Sequence, residues 1–374
     1  MRVIRGPGIV KVLIVVEDPG AANMVKDLPQ ALLRNNIRSD LYALNAAYTY
    51  LMTRQHFCNA WSSEEGFAQE LLNRYKPDLV VVGSSDNPES PVFELISCAR
   101  EGEIPTLGVV DMRMNADRRF SGGTGNPLAF MPDRLIVPDE ATRQDFIKLG
   151  MEASCVVALG NPQFDYILKN AQDCLKENSK SQLKEELFAE AADKPVLVFI
   201  AEPSSTLNPQ ITTRNKHYTL EGTSDSQHRC HIVMEEFLRA LEISSTFSDS
   251  KPYLVLRLHP RNKIEEFPSE LIEKFDTVSQ HQVPIKLLCA ADLVVGLTSM
   301  MLLEAAICDT PTLSIVPIRQ EGDWLPTVAA GATPLVSTRP ELEHFFCNPL
   351  PPKSNHRWFQ PGALERIAQY IKQY

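Results

Sequence analysis

Short, unbroken apolar runs rich in β-branched residues recur along the chain, separated by stretches with helical spacing. Val12–Val16, Leu79–Val82, Thr106–Val110, Arg134–Val137 and Cys155–Ala158 have the length and composition of buried parallel strands. Between them, Ala21–Leu33 repeats apolar residues four apart at Met24, Leu28 and Leu32. Glu64–Tyr75, Pro91–Arg100 and Glu140–Leu149 also read as helices. A second series follows, with strands at Pro195–Ile200, Tyr253–Leu258, Asp292–Val295, Thr312–Val316 and Pro334–Val336. Its helices fall at His231–Leu241 and Ser299–Ile307, and Pro361–Tyr374 closes the chain as an amphipathic helix. Such alternation predicts an α/β protein of two doubly wound domains facing each other across a cleft.

The polar segment 170–193 divides the two series. The expected organisation is therefore 1–169, a linker at 170–193, a second domain at 194–355 and a closing helix at 356–374, which is expected to cross back to the first domain. A length of 374 residues suits two domains better than one core. Residues 202–228 form a long polar stretch of the kind used as a lid or binding loop.

Charge narrows the partners. Lys and Arg total 37 against 47 Asp and Glu, a formal charge of -10. That excess argues against nucleic acid or an anionic membrane as partner, which need a broad basic field. It leaves room for a local phosphate site. Eight scattered cysteines without a C-x-x-C pair suggest reduced thiols and a cytoplasmic protein. No run approaches the roughly 20 apolar residues of a membrane helix.

In open parallel sheets, ligands gather at the carboxyl ends of strands, so the residues that follow each strand carry the candidate chemistry. Asp18, within Glu17-Asp18-Pro19-Gly20-Ala21-Ala22-Asn23, is either a general base or the cap of the helix behind it. Gly20 allows close approach to that helix start, and Asn23 lies one turn further. Asp111, directly after a strand, is a second candidate base; Arg113 and the nearby arginines either bind an anion or pair with these acids. In the second series, His259 and Arg261 of Arg257-Leu258-His259-Pro260-Arg261 can donate to a phosphate. Thr298 and Ser299 open a helix whose free amides favour an anion. Glu304, set among apolar neighbours, can accept from two sugar hydroxyls. Glu202 and Ser204 complete the strand-end set. His228, Cys230 and His231 do not have converging metal-ligand spacing, and no metal is expected. Ser84-Ser85 lacks nucleophile-elbow context and reads as loop hydroxyls.

Taken in order, EDPGAAN, PDRLIVPDE, GNPQFD, FIAEP, LRLHPR, ADLVVGLTSMMLLEAAICDTP and PGALERIAQYI span most of the chain. Together they resemble the GT-B fold, with its paired Rossmann-like domains. The resemblance extends to bacterial surface-polysaccharide enzymes of the CDP-glycerol glycerophosphotransferase and polysialyltransferase type, and to UDP-N-acetylglucosamine 2-epimerase. It implies donor-phosphate contacts at His259, Thr298 and Ser299, and a ribose contact at Glu304. The acidic-acidic-Gly motif of bacterial sialyltransferases is similar to Glu17-Asp18-Pro19-Gly20, with a Pro inserted, which leaves the base open between Asp18 and Asp111. The resulting expectation is a metal-independent glycosyltransferase moving a group from a nucleotide-sugar or CDP-linked donor to a carbohydrate or other hydroxyl acceptor, without a cofactor. A nucleotide-sugar 2-epimerase or hydrolase on the same fold is the alternative, and a noncatalytic nucleotide- or carbohydrate-binding protein is a third.

Overall fold

The computed structural model describes residues 10–61, 66–191, 193–203, 213–247, 250–350 and 358–373. The chain divides into two compact units, one of residues 1–165 and 359–374, the other Tyr166–Trp358.

Unit 1 is built on a seven-stranded parallel sheet in the order β3-β2-β1-β4-β5-β6-β7. Its strands are β1 (Lys11–Val16), β2 (Arg38–Ala43), β3 (Asn59–Ala60), β4 (Leu79–Gly83), β5 (Thr106–Val109), β6 (Arg134–Val137) and β7 (Val156–Ala158). β1 and β4 lie at the centre and are covered on both faces, so their side chains alternate between two apolar clusters. Val12, Ile14 and Val16 enter one cluster, Leu13 and Val15 the other. The sequence pattern misses β2 and β3 because they lie toward one edge. Only Leu41 and Ala43 of β2 are buried, so no apolar run marks it.

The single helix expected over Ala21–Leu33 is two helices, Pro19–Val25 and Leu28–Arg34. Pro29 lies in the first turn of the second, where its missing N–H costs no helical bond. The polar stretch expected as a linker is largely helical, in Pro162–Glu177 and Lys180–Leu187.

The closing helix, Ala363–Gln373, belongs to unit 1. Ile367, Ala368 and Ile371 join the cluster of Val12 and Ile14, and burying each isoleucine contributes about 1.5–3 kcal/mol. Asp165 fixes the helix start by accepting from the amides of Gly362 (2.7 Å) and Ala363 (2.8 Å).

Unit 2 repeats the plan with six parallel strands in the order β10-β9-β8-β11-β12-β13. They are β8 (Val196–Ile200), β9 (Tyr253–Arg257), β10 (Thr277–Ser279), β11 (Leu293–Gly296), β12 (Thr312–Ile315) and β13 (Leu335–Val336). Both sheets reverse strand order beside their first strand, between β1 and β4 and between β8 and β11. These reversals are the topological switch points where such sheets bind ligands.

Candidate active site

In each unit a glutamate follows the first strand and reaches across the switch point. Glu17, 5% exposed, accepts four side-chain hydrogen bonds. Asn45 Nδ2 (3.0 Å) and Asn87 Nδ2 (3.1 Å) donate to Oε1; Ser85 Oγ (3.3 Å) and Ser90 Oγ donate to Oε2. A buried carboxylate needs such donors, and these tie the end of β1 to the loops after β2 and β4. Glu17 is a scaffold, a role that the sequence reading did not assign to it.

The next residue is set differently. Asp18 occupies the cap position of Pro19–Val25 but its side chain makes no cap hydrogen bond. Burial holds the Asp18 carboxyl above the usual aspartate range, partly opposed by a Ser85 hydrogen bond, while Glu17 pushes in the same direction as burial. A carboxyl so placed keeps its proton longer than an exposed one as pH rises.

Asp111 comes to the same place from the end of β5. A methyl group on Gly20 would lie 2.0 Å from Asp111 Oδ2, so glycine is what allows the carboxylate to rest on this helix start. Arg119, 7% exposed, lies beside it, with Nη1 3.1 Å from Asp111 Oδ1 and Nε 3.4 Å from Asp86 Oδ1. The first contact is an ion pair that is out of line for a hydrogen bond. Asn161 Nδ2 holds the Asp111 carbonyl at 3.0 Å, so the Gly160-Asn161-Pro162 turn steadies this residue. Arg119 therefore serves the acids. Arg113 is bound instead to Asp145, at 2.5 and 3.3 Å. Asn23 is engaged by Tyr50 and Lys26.

In unit 2 the corresponding glutamate is Glu202. Its carboxylate accepts from the Thr298 amide (2.5 Å) and hydroxyl, and pairs with Arg229 at 2.8 Å. Arg229 also pairs with Glu321. Burial draws the Arg229 guanidinium's proton affinity down, and the two carboxylates more than reverse it. Burial pushes Glu321 above the ordinary glutamate range, and its Oε1 has no partner. The Thr298 amide, expected to be open to a ligand, is thus held by Glu202. Ser299 accepts from the Met301 amide as cap of the helix Met300–Ile307.

His259 stands two residues beyond β9. Its Nδ1 accepts from the Arg261 amide at 3.1 Å, which leaves Nε2 to carry the hydrogen of the neutral ring. Burial first, and then Arg261, lowers the proton affinity of His259, with Glu202 opposing. The result is a neutral N–H donor near the end of a central strand. Arg261 is exposed and Glu304 half-buried; Ser204 lies outside the described residues. His228 and His231 are ring neighbours at 5.0 Å. Buried Cys230 is pushed up to about 12 and His231 down to about 4, both chiefly by burial. Among the described residues no group of three or more His, Cys, Asp or Glu side chains could hold a metal ion, and no helix is long and apolar enough to cross a membrane.

The pairing of Arg119 with Asp111 is one of the two alternatives the sequence offers for its arginines, whereas sequence reasoning missed Glu17, Arg229 and Glu321 as partners. Glu17 carried a signal, an acid set directly after a fully buried strand. Arg229 and Glu321 are 92 residues apart, and nothing in either segment announces the other.

No protein-family model and no curated protein matches the sequence. Solved structures match the fold. UDP-GlcNAc 2-epimerase from Methanocaldococcus jannaschii is 16% identical with a TM-score of 0.67, covering 98% of this chain and 100% of that one. The enzyme from Neisseria meningitidis, solved bound to UDP-GlcNAc, is 14% identical with a TM-score of 0.64 over the same shares. Anabaena HepE, solved with UDP and glucose, is 13% identical with a TM-score of 0.54, covering 90% and 89%. Two Rossmann-like α/β units of the GT-B kind make up this chain.

Proposed function

We propose that the chain is an enzyme acting on a nucleotide-linked sugar with no second sugar as acceptor, in the manner of a nucleotide-sugar 2-epimerase or hydrolase. Unit 2 holds the nucleotide, with the Nε2–H of His259 as a donor to phosphate. Unit 1 handles protons through Asp18 and Asp111. The reading rests above all on the contrast between these two carboxyls at one helix start. Asp18 is desolvated, which raises its proton affinity, whereas Asp111 is ion-paired with Arg119. Two like groups in unlike surroundings can divide the acid and base roles of one reaction. Epimerisation needs that division, because one group removes a proton and another returns it on the opposite face. The full-length likeness to several UDP-GlcNAc 2-epimerases supports the same reading.

The experiment is incubation with UDP-, CDP-, GDP- and CMP-sugars singly, with products resolved by NMR. The expected result is an epimer or a released sugar from one of them, lost in Asp18→Asn and Asp111→Asn.

A second reading is glycosyl transfer, favoured by the likeness to HepE, which was solved with UDP and glucose. It needs a single base to deprotonate an acceptor hydroxyl. Turnover that begins only when an acceptor is added would select it.

A further inference from the structure

Arg257 is a buried cation without a counter-ion. It is 5% exposed, and no carboxylate pairs with it among the described residues. Its Nη1 donates to Ser279 Oγ at 2.9 Å, whereas its Nε is sealed from solvent with no partner. Burial alone lowers the proton affinity of the guanidinium, and arginine remains charged in proteins regardless. Every other strongly buried arginine described here, Arg119 and Arg229, has at least two acids beside it.

Its position narrows the meaning. Arg257 is the last residue of β9, paired in register with Ile200 of β8 and Ser279 of β10. Leu256 and Leu258 on either side belong to one apolar cluster, so strand alternation turns Arg257 to the opposite face. Ile200 packs on that opposite face beside Gly296 and Leu302, which is the face carrying the helix that Ser299 caps. The cation thus lies at the carboxyl edge of the sheet, on the side of the helix start at Thr298 and Ser299. With Nη1 committed to Ser279 and Nε sealed, Nη2 is the guanidinium nitrogen left to donate to a phosphoryl oxygen.

We infer that Arg257 is a binding residue for a phosphoryl oxyanion of the substrate, taken through its Nη2. The inference rests on reading unit 2 as the nucleotide-binding half. The oxyanion supplies the missing negative charge, and the shielded setting strengthens the pairing.

Calorimetric titration of the whole chain with UDP, inorganic pyrophosphate and uridine tests it, in wild type, Arg257→Gln and Arg257→Lys. Arg257→Gln should bind UDP and pyrophosphate about 10- to 100-fold more weakly and leave any uridine binding unchanged. Its melting temperature without ligand should not fall, because an uncompensated cation has been removed. Arg257→Lys keeps the charge but cannot hold Ser279 and a phosphoryl oxygen from separate nitrogens of one planar group, and should bind both phosphoryl ligands several-fold more weakly; it carries the test if the glutamine variant does not fold. Equal binding of the phosphoryl ligands by wild type and the folded variants overturns the inference, as does a wild type that binds neither. A wild type that binds pyrophosphate in an Arg257-dependent way but not UDP supports the oxyanion role and contradicts the nucleotide reading.

Discussion

Asp111 rests its carboxylate against the α-carbon of Gly20, where a single methyl group would lie 2.0 Å from Oδ2. The two residues come from the ends of different strands, so the contact fixes one candidate acid relative to the helix that follows the other. Gly20→Ala should force Asp111 aside and reduce turnover at least tenfold. Overpacking of this kind costs about 1–3 kcal/mol. A double-mutant cycle checks the cause: in an Asp111→Gly background, Gly20→Ala should cost almost no stability. An undiminished cost there would place the clash elsewhere.

Asp18 should trade stability for reactivity. Its native proton affinity is raised, chiefly by burial, so its contribution to stability is fully present below the unfolded value of about 3.9. That contribution is lost as pH rises through the native value. Asp18→Asn mimics the neutral form at every pH. The variant should therefore melt higher than wild type at pH 7, with the difference shrinking toward zero as pH falls to about 3.9. Melting curves from pH 3 to 8 check this, and a variant that melts lower at pH 7 contradicts it.

The ion triad of unit 2 behaves in the opposite way. Arg229 stands between Glu202 and Glu321, and removing it strands two acids. Arg229→Met should cost about 3–5 kcal/mol in denaturant unfolding. Adding Glu321→Leu should recover part of the loss, since one uncompensated carboxylate goes with it.

His259 provides a pH signature for ligand binding. Burial and Arg261 hold its proton affinity below that of an ordinary histidine, and a bound phosphate raises it. Binding of UDP should therefore take up protons near pH 6.5, and the affinity should rise as pH falls from 7 to 6. Calorimetry in two buffers of different ionisation enthalpy measures the uptake. His259→Ala should lose the part due to this residue; an identical uptake in both proteins would remove His259 from the phosphate site.

The central strands were legible because burial on both faces leaves them no polar position. Leu79–Val82 and Arg134–Val137 were read from the sequence and are observed as β4 (Leu79–Gly83) and β6 (Arg134–Val137). β2, β3 and β10 were not, since lateral strands are short or partly exposed and carry polar residues such as Arg38, Asp40 and Asn59. Asp18, Asp111 and His259 stood out because each lies just past an apolar strand, where open parallel sheets gather ligands. Of their partners, Arg119 beside Asp111 was one of two alternatives the sequence offered, whereas Glu202 on the Thr298 amide and Glu321 against Arg229 are long-range pairings, fixed only when the strand order is known. Arg257 was visible in the sequence as part of its motif, but its lack of a counter-ion is a fact of the folded chain.

The most direct measurement is isotope exchange on a nucleotide sugar alone. The protein is incubated in D2O with UDP-N-acetylglucosamine and each other nucleotide sugar in turn, and the sugar protons are followed by NMR. The predicted result is deuterium at C2 of one of them, accompanied by epimer or free sugar, and absent in Asp18→Asn and Asp111→Asn. Unchanged nucleotide sugars throughout, with consumption beginning only when a hydroxyl acceptor is supplied, would contradict it.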